Sequence, residues 1–319
     1  MTAPRDIIRF DIIIADGFVL TELAAVTDTL RLANRVSAMP PFSWEYVSVK
    51  GGLKSSSSDA FVTTHPIQDR PDADYMFALG NSDQDCPDLA LLSVIAKYLH
   101  RHANVYLLAE AASRYIKDSD SDLLVRTTHW ENSELMSERG KHVHTSNSIA
   151  AQDGKLVTCA GMGATVDVML SVIGAHVPQA TKLAVANILL HDTIRDFATS
   201  QPFLGAKGAG TGDQELDHCI EIMQANIEDP LPIGELVGVL NVSNRSLERK
   251  FQTMLNTTPN RFYRELRLTK ANNLLLNTTL SVRDVGLACG FSNGFSGLYK
   301  SYYGITPFAL RKQRRAAQS

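Results

Sequence analysis

The run Gly205-Ala206-Lys207-Gly208-Ala209-Gly210-Thr211-Gly212 offers no apolar periodicity and no side chain with reason to pack, so it reads as a flexible linker. It sets domain limits of 1–203, a linker at 204–213, and 214–319. The residue pattern changes at the same place. Upstream, β-rich runs at 10–14, 44–49, 75–79, 105–108, 124–128 and 156–159 alternate with helical spacing at 20–34, 89–100, 131–138, 166–173 and 180–191. Alternation of this kind requires crossover connections, which predicts a flavodoxin-like three-layer α/β sandwich with a mainly parallel sheet. Ligands of such sheets sit at the carboxyl ends of the strands. From Gln214 onward β signals nearly vanish, and short helical segments follow one another to the end.

Charge divides the chain in a similar way. The whole chain carries 31 Lys and Arg against 34 Asp and Glu, a net charge of -3. Between Arg245 and Ser319 there are 13 basic and 3 acidic residues, which leaves 18 basic and 31 acidic residues for 1–244. An acidic body joined to a polyanion-binding module is the expectation. The four cysteines, Cys86, Cys159, Cys219 and Cys289, are widely spaced and form no CxxC or Cys/His cluster. Neither a disulfide framework, a metal site nor a cofactor is indicated, and a reducing cytoplasm fits best. Asp11, Asp16 and Glu22 interrupt the N-terminal apolar run before it reaches leader length, and no stretch has the roughly 20 apolar residues of a membrane helix.

In the helical part, residues 233–240 make one short helix and Asn241-Val242 a turn. Ser243 then stands where an N-cap is wanted. Leu247, Phe251, Met254 and Leu255 form an apolar stripe, with Asn244, Arg245, Glu248, Arg249 and Gln252 opposite. Two helices, a tight turn and an exposed face bearing Arg and Asn describe a helix-turn-helix able to enter a major groove. The pattern repeats at 281–303, with Cys289-Gly290-Phe291-Ser292 as the turn and Phe295, Leu298, Tyr299 and Tyr302 facing inward. Between the units, Thr258-Pro259 starts a helix running to about Leu276, roughly 27 Å long at 1.5 Å per residue. That length is close to the roughly 34 Å between successive major-groove faces. Arg267 and Arg283 have acidic neighbours, Glu265 and Asp284, so pairing within the protein competes with DNA contact there. Lys312, Arg314 and Arg315 add nonspecific attraction for phosphates.

The motifs Asp229-Pro230-Leu231, 242–251, Thr258-Pro259, 267–275, 288–292 and Gly304-Ile305-Thr306-Pro307, in this order, resemble the AraC/XylS family DNA-binding domain. The resemblance implies double-stranded DNA as partner, read by two helix-turn-helix units, and activation of transcription near a promoter, with RNA polymerase a further partner. The candidate DNA-binding residues are Ser243, Asn244, Arg245, Ser246, Arg249, Gln252, Asn293 and Lys300. One departure concerns the second unit: the family pattern has about two more residues between its Gly-Phe-Ser and the next Phe-Ser than 290–296 provides. The second helix is then expected to begin late, with Gly294 and Gly297 offering no side chains and Lys300 left for phosphate contact.

In the α/β part, Arg126-Thr127-Thr128-His129-Trp130 with 153–167, and the opening 17–34, resemble the PfpI/type 1 glutamine amidotransferase-like domain. Its fusion to AraC-type units is similar to the GlxA-type transcriptional regulators. In catalytic relatives a Cys on a strand-to-helix elbow stands about twenty residues before the His, and the corresponding residue here is Ala109. A methyl group cannot attack a carbonyl; Ser113 lies a helical turn downstream and points elsewhere. What the resemblance leaves is a ligand pocket lined by Glu22, Ala109, Glu110, His129, Trp130 and Cys159. For Trp130, Cys159 and His129 a purely structural role stands beside that reading. A carboxylate beside an aromatic face suits a cationic or quaternary-amine metabolite, and some GlxA-type relatives respond to carnitine, glycine betaine or arginine. The expectation is a ligand-responsive, homodimeric transcription regulator with a small-molecule effector. The alternative is an amidohydrolase- or deglycase-like enzyme with a regulatory DNA-binding tail.

Overall fold

The apolar run near the N-terminus forms strand β1 (Ile8–Ile13), which the fold places at the centre of a sheet. The structure, a computed structural model, describes residues 7–119, 125–133, 146–201 and 211–317, the side chains of 277 and 314–317 excepted. Outside these lie most of the expected linker, residue 124, the expected helical residues 134–138 and the side chains of Arg314 and Arg315. The chain divides into two compact units, 1–201 and 202–319.

In the first unit β1 is followed by α1 (Leu20–Val36), β2 (Phe42–Ser48), β3 (Gly52–Ser55), β4 (Phe61–Pro66) and β5 (Tyr75–Ala78). Then come α2 (Leu92–His100), β6 (Asn104–Leu108), α3 (Ala109–Asp118), β7 (Ala150–Asp153), β8 (Leu156–Cys159), α4 (Ala164–Gly174) and α5 (Gln179–Ile188). The eight strands run in the order β3-β4-β2-β1-β5-β6-β8-β7. The six inner strands are parallel, and only the edge strands β3 and β7 run antiparallel to their neighbours. Alternation along β1 feeds both faces of the sheet. Phe10 and Ile12 pack with Leu23, Val26 and Leu30 of α1 and with Val168 and Leu170 of α4. Ile13 joins Ile95 and Tyr98 of α2 and Ala111 and Ala112 of α3 on the other face. The α/β sandwich expected from the sequence is therefore present.

Three strands, β3, β4 and β7, have no counterpart in the sequence reading. They lie at or next to the sheet edges, where polar residues such as Lys54, Ser55, Thr63 and Gln152 erase the apolar signal. Conversely, 125–128 forms no named strand: Thr127 turns its hydroxyl to Ser146 O and Ser148 O. A helical turn at 130–133 follows.

The second unit holds α6 (Gln214–Ala225), α7 (Ile233–Leu240), α8 (Asn244–Leu255), α9 (Pro259–Asn277), α10 (Val282–Ala288), α11 (Phe295–Tyr303) and α12 (Pro307–Ala317). Five of these start on a side-chain cap: Asp213, Ser243, Thr258, Ser281 and Thr306, with Ser281 in a capping box with Asp284. Leu216, Met223, Leu236, Leu247 and Phe251 form the core beneath the first helix pair. Three residues assigned inward by the sequence stripe face solvent instead: Met254 (41% exposed), Leu298 (36%) and Tyr302 (48%). Apolar spacing on helices of 12 and 9 residues does not say how wide the neighbouring surface is, so the flank of each stripe is left to solvent.

Candidate functional site

Strand β6 ends at Leu108 and α3 begins at Ala109 with no intervening loop, so the chain turns at Ala109 with φ 40°. This left-handed conformation is strained for a residue bearing a Cβ. Room for it comes from glycine. A Cβ on Gly161 (φ 77°) would lie 2.7 Å from Ala109 Cβ and 2.2 Å from Glu22 Oε1. One on Gly80 would lie 2.6 Å from Glu110 Oε2.

The backbone N–H of Gly80 donates to Glu22 Oε2 at 2.6 Å, and that of Met162 to Glu22 Oε1 at 2.9 Å. Glu22 of α1 thereby joins the loops leaving β5 and β8 across the elbow. Its burial, reinforced by the charge of Glu110, raises the carboxyl to about 7. Glu110 accepts from Asn81 N at 2.9 Å and Asn132 Nδ2 at 3.1 Å, and burial raises its pKa as well. Burial, with Glu22 adding to it, pushes the Cys159 thiol up, which keeps it a protonated, inert core group.

The loop 127–130 is pinned beside this knot. Thr128 Oγ1 donates to Ala109 O at 2.7 Å, and Thr127 N donates to Thr158 Oγ1 at 3.0 Å. The His129 side chain is 20% exposed, with Nδ1 3.5 Å from Glu131 Oε2, and burial lowers its pKa. Its ring centroid is 5.5 Å from that of Trp130. The structure thus brings Glu22, Ala109, Glu110 and Cys159 into one cluster and ties the His129 and Trp130 loop to it. Glu22, Ala109 and Cys159 are buried, whereas Glu110, His129 and Trp130 are half-buried. Ser113 is buried on α3. Sequence reasoning missed Asn132, Met162 and Gln201, whose amide holds Trp130 N at 2.9 Å. Only Gly161-Met162-Gly163, directly after a strand, carried a local signal. Among the described residues no three His, Cys, Asp or Glu side chains are placed to hold a metal ion. Nor is any described helix long and apolar enough to cross a membrane.

In the helical unit, Asn241 (φ 53°) closes α7 and Ser243 Oγ accepts from Ser246 N at 3.1 Å. The helix α8 so started exposes Asn244, Arg245, Glu248, Arg249 and Gln252 on one face, and Ser246 is half-buried. Lys250 of α8 is instead engaged with Asp213 and, at 2.9 Å, with Glu215. In the second pair, α11 starts only at Phe295, with Gly294 (φ 72°) as N-cap, as the shortened spacing predicts. Asn293 therefore lies before the helix, exposed, and Lys300 is exposed on it. An open hollow of about 550 Å³ separates the pair, bordered by Arg283, Leu287, Phe291, Asn293 and Gly297. Arg267 Nε donates to Cys289 O at 2.8 Å and its NH2 group to Gly290 O, while its guanidinium lies 4.1 Å from the Phe291 ring centre. It is consumed in holding the turn, and Glu265 pairs with Arg261.

A family model described as a helix-turn-helix domain matches residues 236–313. The HTH-type transcriptional regulator GbdR of Pseudomonas aeruginosa is 30% identical over 302 residues, 92% of this chain and 82% of that protein. The chain belongs to the GlxA-type, AraC-family transcriptional regulators. The regulator GlxA of Rhizobium meliloti is 26% identical over 321 residues, 97% of both chains. A crystal structure of a Vibrio parahaemolyticus protein described as a transcriptional regulator matches with a TM-score of 0.50 at 14% identity, over 58% of this chain and 100% of that one. That likeness concerns the fold alone. As a GlxA-type regulator the protein binds DNA and regulates transcription.

Proposed function

We propose that this GlxA-type regulator senses a cationic nitrogenous metabolite, of betaine, carnitine or amino-acid class, in its α/β unit, and as a homodimer activates transcription through its helical unit. The observation that carries the reading is the elbow itself. The strained turn holds a methyl group at the position where catalytic relatives place a nucleophile, and half-buried Glu110 is tied through Asn132 to the turn that carries His129 and Trp130. Carboxylates near aromatic rings favour a cation, and the burial and Glu110 charge that raise the Glu131 carboxyl mark a crowding of negative charge that a bound cation would relieve. At the elbow covalent catalysis lacks a nucleophile, since Ala109 supplies none and Ser113 is buried. Glu22, with both oxygens bonded to backbone N–H groups, and Cys159 serve as the floor of this site.

On the DNA side, Asn244, Arg245, Arg249 and Gln252 are proposed to read bases, because guanidinium and amide groups match guanine and adenine edges. Ser243 and Ser246 approach the backbone at the start of α8, and Asn293 and Lys300 do so from the second pair. The sensor reading is tested by thermal shift of the full chain against betaines, carnitine, amino acids and polyamines. A ligand at 100 times its Kd stabilises by about 2.7 kcal/mol. A saturable hit confined to cations and lost in Glu110→Gln is the expected result; a shift by neutral or anionic compounds alone would overturn it.

A further inference from the structure

Asn293-Gly294 is the one place in the chain where glycine follows asparagine. Its position follows from the shortened turn of the second helix pair. Gly294 is the N-cap of α11 with φ 72°, a conformation that residues bearing a Cβ rarely adopt. The turn thus calls for glycine directly after an asparagine. Ser292, Asn293 and Gly294 are all exposed, and a Cβ on Gly294 would meet nothing within 4 Å.

An asparagine amide is open to attack by the next backbone nitrogen when that nitrogen is unhindered and free of a hydrogen bond. Three other asparagines precede a serine, and each is guarded. After Asn81, Ser82 N donates to Gly17 O at 2.9 Å; after Asn132, Ser133 N donates to His129 O at 3.1 Å. After Asn147, Ser148 N donates to Ser146 Oγ at 3.1 Å. Asn81 and Asn132 are buried as well, with their amides held by Asp16 O at 2.7 Å and Glu110 Oε1 at 3.1 Å. Among the described residues nothing accepts from the Gly294 N–H, and nothing engages the Asn293 amide.

We propose that Asn293 is a self-modification site, converted without an enzyme to aspartate and isoaspartate, and that the conversion weakens DNA binding. Gly294 N attacks Asn293 Cγ, its proton passing through water to the leaving group. The N–Cγ bond forms, the Cγ–Nδ2 bond breaks and ammonia departs. Water then opens the cyclic imide. Cleavage at Cγ gives aspartate, and cleavage at the main-chain carbonyl carbon gives isoaspartate, whose backbone runs through Cβ and Cγ. No oxidation or reduction occurs, and water is the sole co-reactant. Either product carries a carboxylate where a neutral amide stood. It borders the same hollow as exposed Arg283, whose neighbour Asp284 is engaged by Ser281 Oγ at 2.6 Å. The new charge repels phosphate and competes with it for Arg283. This consequence rests on the reading of Asn293 as DNA-facing, and the test separates it from the chemistry.

Trypsin releases residues 284–300 as one peptide, in which Asn293 is the sole side-chain amide. The full-length protein is incubated in mildly alkaline buffer and this peptide is weighed at intervals. A gain of about 1 Da is expected, with isoaspartate revealed by an isoaspartyl methyltransferase, ahead of any gain at Asn81, Asn132 or Asn147. Asn293→Gln, whose cyclisation needs the slower six-membered ring, is expected to show none. A constant mass in the native protein, over a time in which the urea-unfolded chain gains it, overturns the site and leaves the DNA-facing reading untouched. Asn293→Asp is then titrated with a duplex selected by the wild-type chain from a random-sequence pool. It is expected to bind about fivefold more weakly at low salt, with the deficit shrinking as salt rises. Affinity equal to wild type overturns the effect on DNA, and with it the DNA-facing reading of Asn293, whatever the mass shows.

Discussion

Between α7 and α8 the chain turns on left-handed Asn241, and Ser243 caps a helix whose exposed face carries Asn244, Arg245, Arg249 and Gln252. Between α10 and α11 it turns on Gly290 and Gly294, and the exposed positions that follow on α11 are Ser296, Gly297, Leu298, Lys300, Ser301 and Tyr302. The same backbone device is thus built twice from different residues. Asn and Gly both tolerate the left-handed turn, but the first unit lines its second helix with exposed polar side chains, whereas the early turns of α11 expose Ser296, Gly297 and Leu298. The second unit invests its residues in its own placement. Gly290 packs against the loop after α6, and Arg267 grips the turn from α9. The difference teaches that one turn geometry can carry very different exposed surfaces, and it frames a test of whether one unit reads bases while the other holds the DNA backbone.

The largest effect that can test this contrast is structural. Gly290 has φ 69°, and a Cβ there would lie 2.7 Å from Ile227 O and 2.9 Å from Glu228 O, both backbone atoms. Gly290→Ala is expected to cost about 2 to 4 kcal/mol, from strain and forced displacement of that loop. Asn241→Gly in the first unit should change stability by less than about 0.5 kcal/mol, because glycine suits a helix C-cap. Urea unfolding followed by helical ellipticity measures both, and equal costs would break the contrast. Next in size, Arg245→Ala or Arg249→Ala should lower specific DNA affinity by about 1 to 3 kcal/mol and relax base preference at one position. A loss equal on all sequences would assign that arginine to phosphate instead.

Much of the helical unit was legible because its signals are local. Ser243, Thr258-Pro259 and Ser281 announce their helices within a few residues, and α7 spans the residues expected of it. The inward placement of Leu298 and Tyr302 failed because periodicity on a nine-residue helix cannot say where its partner surface ends. In the α/β unit, hydrophobic runs revealed five of the six inner strands, while β4 and the polar edge strands depend on neighbours that the sequence does not show. Ala109 was found by its spacing from His129. Its companions Asn132 and Gln201 were not, since their partners lie 22 and 71 residues away in the chain and no motif marks them.

A smaller effect sharpens the same contrast at Lys300. If the second unit holds rather than reads, Lys300→Ala should weaken binding by about 1 kcal/mol on every sequence and reduce the salt slope of log K by about 0.9. Affinities measured over a range of salt on the selected duplex and on scrambled DNA check both features. A change of base preference would show that the second unit reads after all.

The smallest expected effect is at Gly297, and its sign is favourable. The residue is exposed on α11, and a Cβ added there meets nothing within 4 Å. Glycine inside a helix costs more backbone entropy than alanine, so Gly297→Ala should stabilise the unit by roughly 0.5 kcal/mol. If α11 contacts only the DNA backbone, base preference should stay the same, because the added methyl group then touches no base edge. Gly297→Arg then asks the converse, placing a long donor where the first unit has its own. If the arginine acquires a preference for guanine, α11 already lies in the groove and lacks only side chains. If it merely strengthens binding to all sequences, the helix stands off the bases, and the division of labour between the two units lies in their placement as well as in their residues.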